Sequence, residues 1–287
     1  MNFFLSYLAI AEIYALASMS TNLLVGVTGI FSVSQGAIFG IGAYTVGILT
    51  LNDWASFPVA MAAALILCAL TNLAVALPAL RIAGDYFVVT SFGIQIAATA
   101  VFMNLTDITG GASGLAGVPP PNVFGRDLDE PGAFILLSSI VLAAAALFFW
   151  LVLRSPFGRL INAIREDELA VTAAGKSVLA AKVGVSALSG MFVGLAGGLY
   201  AGFLSFIDPG SFDIDASILL LTMIVVGGAR TLAGSLIGPA LLTALPQVLS
   251  VLPIPSDAAG PLRQILYGLM LIAFMLFRPQ GIAGRRL

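Results

Sequence analysis

Residues 133–153 read AFILLSSIVLAAAALFFWLVL, and no charged side chain interrupts this stretch. A helix needs about 20 apolar residues to cross the hydrocarbon core of a bilayer, so the stretch predicts a membrane-spanning helix. Charged residues return at once with Arg154. The same pattern recurs on both sides of this segment. The predicted spans are 3–24, 37–51, 57–80, 86–105, 133–153, 183–206, 216–228, 236–252 and 265–277.

The composition of the whole chain points to lipid as its solvent. Of its 287 residues, 60% are hydrophobic and only 9% are charged, whereas an average soluble domain carries about 25% charged residues. A soluble domain of this length has too little interior to hide so much apolar surface from water. The sequence therefore predicts an all-α, polytopic membrane protein with about eight to ten transmembrane helices. It argues against a soluble enzyme and against a nucleic-acid-binding protein.

Two residue types that carry much of protein chemistry are scarce here. The chain has no histidine, and its single cysteine, Cys68, lies in an apolar run. Ser-His catalytic triads, histidine zinc sites and disulfides within the chain are thereby excluded. We expect no catalytic residue, no metal site and no bound cofactor on this chain.

The positions of the charges predict the orientation in the membrane. Basic residues concentrate in the segment 154–182 and in the C-terminal tail, and cytoplasmic segments of membrane proteins are enriched in Lys and Arg. The segments 106–132 and 207–215 are acidic instead and should face outward. Alternation of the spans then places the N-terminus outside and the C-terminus in the cytoplasm. We expect residues 1–287 to form one transmembrane domain.

Glycine is concentrated in three regions, residues 26–47, 184–202 and 227–238. Small residues let membrane helices approach each other closely, and transporters often place broken helices at their transport sites. The uncharged stretch 25–36 (VGVTGIFSVSQG) leaves three alternatives open. It extends the first span, re-enters the bilayer, or breaks a helix.

The segment 154–182 is the long charged connection between the fifth and sixth predicted spans. Apolar residues recur in it at helical spacing and predict a short amphipathic helix exposed to the cytoplasm. The predicted apolar face consists of Leu160, Ala163, Ile164, Leu169 and Ala170. Such a helix is either a solvated connection or a docking element for a cytoplasmic partner.

Residues 170–177 (AVTAAGKS) fit a relaxed form of a nucleotide-binding motif. A phosphate-binding loop needs a buried strand before it and a glycine-rich turn. The residues upstream are charged and helical in period, and the motif holds one glycine, Gly175. We therefore predict a helix that ends near Gly175, with Lys176 favoured by the negative end of the helix dipole.

Polar side chains in lipid are costly, so within spans they face a cavity or another subunit. The candidates for a translocation path are Ser32, Ser34, Gln35, Thr90, Ser91, Gln95 and Thr99. A serine or threonine hydroxyl has the alternative of bonding a carbonyl of its own helix. The amides of Gln35 and Gln95 need several partners, through either the path or helix–helix packing. Glu12 is either paired or protonated deep in the bilayer, or it lies near the interface.

The outward loop 106–132 is long for a connection. Its charges make it a candidate docking surface for a partner. The candidate docking residues are Asp107, Arg126, Asp127, Asp129 and Glu130. The alternative is a plug packed over the ends of the spans. We expect a mixture, with Thr109, Gly110 and Gly111 packed and the acidic end exposed.

Seven stretches, in family order over nearly the whole chain, resemble the permeases of the branched-chain amino acid ABC importer family, of the LivM type. They are LLVGVTGIFSVSQGAIFGIGAYT (23–45), ALRIAGDYFVVTSFG (79–93), NLTDITGGASGLAGVP (104–119), SPFGRLINAIREDELAVTAAGKS (155–177), LSGMFVGLAGGLYAGFLSFIDPGSF (188–212), LLLTMIVVGGARTLAGSLIGPALLTALP (219–246) and FRPQGIAG (277–284).

The resemblance implies a bacterial inner-membrane subunit without chemistry of its own. It implies a second, LivH-like permease as partner, two ATPase subunits that hold ATP and Mg²⁺ on the cytoplasmic face, and a periplasmic substrate-binding protein. It also implies that part of the charged segment is a coupling helix held by the ATPase. The residues carried over to that role are Arg159, Ala163, Ile164, Arg165, Glu166, Asp167, Glu168 and Gly175.

The chain departs from the family pattern at three points. Gln35 stands where the resemblance leads us to expect His, and Gln95 where it leads us to expect Glu, so the selectivity can differ from leucine-type transport. The spacing from Glu168 to Gly175 is one residue longer than in the wider superfamily. Branched-chain or related amino acids are the expected substrate, and urea or short amides are the alternative. A stand-alone secondary transporter or channel is the alternative of another class.

Overall fold

The computed structural model describes residues 2–79, 84–123, 126–128, 130–251, 256–278 and 280–284. Helices dominate these ranges, and the strands in them are only two residues long. Five of the described helices are long and apolar enough to cross a membrane, and four shorter apolar helices accompany them. The protein is therefore an all-α, polytopic membrane protein, as the sequence predicts.

Each predicted span coincides with a helix of the structure, although the spans 3–24, 86–105, 183–206 and 216–228 run one to three residues past the ends of theirs. The helices are α1 (Asn2–Thr21), α2 (Gln35–Leu51), α3 (Phe57–Ala79), α4 (Gly84–Asn104), α5 (Thr106–Thr109), α6 (Pro131–Arg154), α7 (Pro156–Glu166), α8 (Glu168–Ala173), α9 (Val178–Leu204), α10 (Ile214–Gly227), α11 (Leu232–Val251) and α12 (Ser256–Phe277). α9 starts before its predicted span because the Ser177 hydroxyl accepts from the Ala180 amide at 3.3 Å and so caps the helix there.

Glycines let α9 lie at the centre of the bundle, against α1, α2 and α3. A Cβ added to Gly42 of α2 would lie 2.2 Å from the carbonyl oxygen of Gly194. One added to Gly197 of α9 would lie 2.0 Å from the carbonyl oxygen of Phe39. Neither position has room for a side chain, so the close packing of α2 on α9 depends on glycine.

α1 does not stop at Thr21 but continues as a π-helical turn over Asn22–Val27. Residues 28–34 then leave helical geometry, and Gly29 among them has a φ of 78°, which favours glycine. α2 begins directly afterwards. Of the three alternatives for residues 25–36, the structure thus combines an extended first helix with a break before the next.

Short strands and turns organise the end of the bundle from which α6 starts. β1 (Leu115–Ala116) pairs antiparallel with β4 (Phe206–Ile207), and β2 (Asn122–Val123) pairs with β3 (Arg126–Asp127). The first pair joins the loop before α6 to the loop after α9, which continues as a 3-10 turn over Pro209–Phe212. We call this end, formed by 105–130 and 205–213, the loop end.

α6 carries the chain to the opposite end, where α7 and α8 follow. The connection between α10 and α11 lies at the same end, because Arg230 approaches Glu166 of α7. Residues 280–284 also lie there, held by backbone hydrogen bonds to Val226 and Gly227. We call this end, formed by 154–182, 228–231 and 280–284, the charged end.

Candidate functional site

Side chains from other helices cap the start of α2. The first backbone amides of a helix have no partner within it, so in lipid they need one elsewhere. The Gly36 amide donates to the hydroxyl of Ser217 on α10, at 2.8 Å. The Ala37 amide donates to Oε1 of Gln95 on α4, also at 2.8 Å. The break between α1 and α2 is therefore supported by two neighbouring helices.

Gln95 is fully buried and uses both ends of its amide. Oε1 accepts from Ala37 and from the Ser217 hydroxyl at 3.1 Å, while Nε2 donates to the Phe212 carbonyl at 2.7 Å. The hydroxyl of Thr99 donates back to the Gln95 carbonyl at 3.1 Å. These contacts clamp α4 to α2 and to the turn before α10. They are the contacts of helix–helix packing, and a role of Gln95 in transport stays a prediction.

Gln35, the first residue of α2, is buried but less well satisfied. Its Oε1 accepts from the Ser189 hydroxyl of α9 at 3.5 Å, and its Nε2 has no partner among the described residues. Beside it, the hydroxyl of Ser20 donates to the Ser189 carbonyl at 2.7 Å, and the Ser189 hydroxyl donates to the Ser20 carbonyl at 3.2 Å. Gln35 therefore keeps a free donor at the junction of α1, α2 and α9.

The remaining predicted path residues lie at or near the same break. The hydroxyls of Ser32 and Ser34 are 3.1 Å apart, and the Ser91 hydroxyl accepts from the Val33 amide at 3.0 Å. Thr90 is half-buried on α4 and has an interaction partner. The structure thus gathers residues from the uncharged stretch 25–36 and from α4 into one polar cluster around residues 32–37, which we call the break cluster.

α7 lies on the body of the protein at the charged end. It begins with Pro156 after the Ser155 cap, and it buries Ile161 and Ile164. Arg159 and Ala163 are exposed on its other side. Of the predicted coupling residues on α7, Ile164 therefore faces the protein itself, whereas Arg159 and Ala163 are accessible to a partner.

The predicted apolar face of the charged segment is wrong in its second half. α7 ends at Glu166 because Asp167 has extended backbone geometry, and α8 starts afresh at Glu168. This break shifts the helical phase, so that Val171 is buried and Leu169 is 82% exposed. The charged end thus presents a leucine to its surroundings at a position where the sequence pattern predicts a buried one.

Asp167 is the N-cap of α8. Its Oδ1 accepts from the amides of Leu169 at 2.9 Å and Ala170 at 3.0 Å. A carboxylate in this position satisfies two free amides and is also favoured by the helix dipole. Asp167 therefore has a structural task within the chain besides its predicted role in coupling.

The other acidic residues of this segment also have partners within the chain. Glu168 pairs with Lys182 at 2.6 Å, and Glu166 lies 3.9 Å from Arg230. Desolvation of the Arg165 guanidinium and, to a smaller extent, the charge of Arg230 lower the pKa of Arg165. The charges of the predicted coupling helix are thus partly balanced before any partner binds.

Residues 170–177 form the end of a helix, as predicted. α8 ends at Ala173, and Gly175 has a φ of 74°. The amide of Gly175 donates to the Thr172 carbonyl, and that of Lys176 to the Val171 carbonyl. The left-handed backbone conformation that ends this helix favours glycine, so the helix end explains Gly175 without a phosphate-binding loop.

The loop at the opposite end is packed in part, as expected. Thr109 and Gly111 are buried, and the Thr109 hydroxyl donates to a carbonyl of α4 at 2.7 Å. Asp107 and Glu130 are exposed. Outside the described residues lie Asp129 and the side chains of Arg126 and Asp127.

Glu12 is paired with hydroxyl groups of a neighbouring helix. Its carboxylate accepts hydrogen bonds from Ser138 and from Ser139 of α6, the second at 2.7 Å. Two hydroxyl donors lower the cost of holding a carboxyl group in an apolar bundle. The structure therefore uses Glu12 to join α1 to α6.

A cavity that the sequence does not reveal lies near the loop end. It has a volume of about 700 Å³ and lies between α1, α10, α11 and α12. Asp215 of α10 and Gln264 of α12 meet in it, and the Gln264 amide donates to the Asp215 carboxylate. These two residues are 49 positions apart, so no local sequence motif predicts the site. The residues of the break cluster do not line this cavity.

Apolar helices packed around a glycine-rich centre, a supported helix break and an amphipathic unit at the charged end define a multi-pass membrane protein of the transporter class. Residues 3–275 match the family described as the branched-chain amino acid transport system permease component. The chain belongs to this family, which confirms the resemblance seen in the sequence.

Named relatives agree with this assignment. The high-affinity branched-chain amino acid transport system permease protein LivM of Escherichia coli (strain K12) is 27% identical over 297 residues, covering 94% of this chain and 67% of that protein. LivM of Salmonella typhimurium is 28% identical over the same shares. The probable LivM of Methanocaldococcus jannaschii is 24% identical over 72% of this chain and 62% of that protein. No solved structure gives a significant match.

Proposed function

We propose that this chain is the transmembrane permease subunit of an ATP-driven importer for branched-chain or related amino acids. Family membership supports transport of this class of substrate. One structural observation supports an external motor: α8 projects Leu169 away from the protein at the charged end. A single exposed leucine is common on protein surfaces, so its weight here comes from its position on the segment that resembles the coupling helix of the family.

In this proposal residues 1–287 form one permease domain of the inner membrane, with the charged end and the C-terminus in the cytoplasm. Two ATPase subunits, which hold ATP and Mg²⁺, grip α7 and α8 through the exposed residues of the coupling segment. A second, LivH-like permease completes the path, and a periplasmic binding protein docks at the loop end through Asp107, Glu130 and their neighbours.

The break cluster is the proposed moving part of the path. π-Helical turns are often found at functional sites, and helix breaks at membrane depth are characteristic of transport sites. Gly29 in the break lies next to α7, since a Cβ added there would come within 3.3 Å of Arg165 Cγ. A displacement of α7 by ATPase closure would therefore reach the break directly, and would bias it between two arrangements.

The proposal is tested by a Leu169→Gln variant of the full chain, purified together with its ATPase partners. Leu136→Gln is the matched control, because Leu136 is 64% exposed but lies on α6 near the loop end. We expect Leu169→Gln to lose co-purifying ATPase and at least tenfold of the ATP-dependent uptake of labelled leucine into proteoliposomes, while the control keeps both. Full uptake by the chain without ATPases would instead identify a stand-alone transporter and overturn the proposal.

A further inference from the structure

The cavity at the loop end has the size and lining of a small-molecule site. Its volume of about 700 Å³ falls within the range of roughly 300–1,000 Å³ that is usual for ligand pockets. Its walls come from the first half of α1, the turn before α10, the start of α10, the second half of α11 and the start of α12. Four helices that close around one space create a site that only the folded bundle has.

The walls of the cavity are chemically divided. Aliphatic side chains form one part, namely Ile10, Leu219, Leu242 and Pro246. Asp215 forms the other part, together with the amide of Gln264, which donates to the Asp215 carboxylate. The site therefore offers an anion and an apolar surface to the same occupant.

Among the residues whose side chains the structure describes, Asp215 is the only charged one that lines the cavity. The Gln264 amide is neutral, so it orients the carboxylate without neutralising it, and no ion pair links Asp215 to a cation among the described residues. A carboxylate beside low-dielectric walls attracts a cation more strongly than one in open water does. The complementary ligand is thus cationic at one end and aliphatic at the other.

We propose that this cavity binds the ammonium group of an aliphatic amine at Asp215, with the aliphatic part of the ligand against the partly exposed Ile10 and Leu219. The inference rests on the transport function proposed above and narrows its substrate. An aliphatic amino acid carries such an ammonium group beside its aliphatic side chain. Urea and short amides carry no positive charge, so Asp215 can accept hydrogen bonds from them but gives them no ionic attraction.

The test places a reactive thiol in the cavity of the full chain in membrane vesicles. Cys68, the native cysteine, is fully buried, so the background of labelling is low. Ser211 lines the cavity, and Ser211→Cys is nearly isosteric. We expect a cationic methanethiosulfonate reagent to label this thiol about tenfold faster than an anionic reagent of similar size, because Asp215 attracts one and repels the other.

Variants of Asp215 show whether the preference for the cationic reagent comes from the charge of Asp215 or from a change of the fold. In the Ser211→Cys background, Asp215→Asn should clearly lower the ratio of the two labelling rates, and Asp215→Glu should keep it. Asp208 and Asp213 flank Ser211, so a smaller cationic preference should remain. Ser113→Cys, on the exposed part of the loop end, is the control for general accessibility. Equal labelling rates with Asp215 intact, or a ratio that Asp215→Asn leaves unchanged, would overturn the proposal.

Ligand protection identifies the chemical class. Isoamylamine and leucine should slow the labelling of Ser211→Cys at least threefold at saturating concentration, whereas urea and acetamide should leave the rate unchanged. Equal protection by acetamide would contradict an ammonium site. The measurement needs no ATPase, so its failure is distinct from a failure of ATP-dependent uptake.

Discussion

The side-chain amide of Asn22 lies 2.7 Å from the hydroxyl of Ser235 and joins the π-helical end of α1 to α11. The same nitrogen donates to the Thr231 carbonyl at 3.0 Å, and the Asn22 oxygen accepts from the Arg230 amide at 2.9 Å. Every donor of this buried side chain is used. The turn that leads into the first glycine-rich region is therefore held against the third region, 213 residues further along the chain at this contact.

Asn22→Ala should destabilise the protein measurably. The substitution leaves the Arg230 amide without its acceptor, and an unsatisfied buried group costs about 1–3 kcal/mol. Asn52→Ala is the control, because the exposed Asn52 amide only bonds the Ile48 carbonyl of its own helix, at 2.9 Å. Thermal unfolding of the purified full chain in detergent should show a clear fall in Tm for the first variant alone. Equal Tm values would mean that water replaces the Asn22 contacts.

Gln95→Leu tests whether the clamp between α4, α2 and α10 is structural. Leucine has nearly the same volume but offers no partner to the Ala37 amide or the Phe212 carbonyl, so we expect a loss of several kcal/mol. Thr99→Val removes only a hydroxyl that bonds its own helix, and its cost should stay below about 1 kcal/mol. Unfolding in denaturant, followed by tryptophan fluorescence, measures both. A Gln95→Leu protein as stable as Thr99→Val would show that the amide does not clamp the helices.

The positions of the helices could be predicted from sequence because lipid imposes one requirement, an apolar run of sufficient length. The fifth predicted span, 133–153, lies inside α6 (Pro131–Arg154) for this reason. The buried face of the charged segment could not be predicted, because the extended backbone at Asp167 ends one helix and lets the next begin with a different face inward. The composition of the segment does not indicate this break. Leu169 consequently lies outside and Val171 inside.

The sequence also predicts one part of the candidate sites and not the other. Gln95 within an apolar span and Gln35 in the uncharged stretch before one indicate by their polarity that they need partners, and the structure provides most of those partners at the break cluster. The sequence does not single out Asp215, because it lies at the end of an acidic loop, where a charged residue is expected at the surface. Its meeting with Gln264 depends on how α10 and α12 pack, which no pattern within either helix contains.

Asp167→Ala should loosen α8 without unfolding the protein. It removes the cap of the Leu169 and Ala170 amides, which is worth about 0.5–2 kcal/mol to a helix. Glu168→Gln is the control, since it removes only the partly exposed ion pair with Lys182, whose contribution is about 0–1 kcal/mol. Hydrogen exchange of residues 168–173 should accelerate in the first variant and change little in the second. Unchanged exchange after Asp167→Ala would show that tertiary contacts such as that of Val171 hold α8 by themselves.

Gly197→Ala should force α2 and α9 apart. The added methyl group would lie 2.0 Å from the Phe39 carbonyl oxygen and 2.9 Å from the Ala43 amide nitrogen. Backbone atoms cannot move aside as a flexible side chain can, so we expect a cost of several kcal/mol, comparable with other cases of overpacking in a core. A lower Tm, or failure of the variant to accumulate in the membrane, would show this destabilisation.

Gly93→Ala is the matched control for this prediction. Gly93 also lies inside a helix, α4, but a Cβ added there meets nothing within 4 Å. Alanine is the better helix former by about 1 kcal/mol, so this variant should be as stable as the parent protein or slightly more so. If both variants lower Tm equally, glycine is required in these helices for a reason other than close approach. If only Gly197→Ala does, the glycine-rich centre is a packing surface, and its small residues set the distance between α2 and α9.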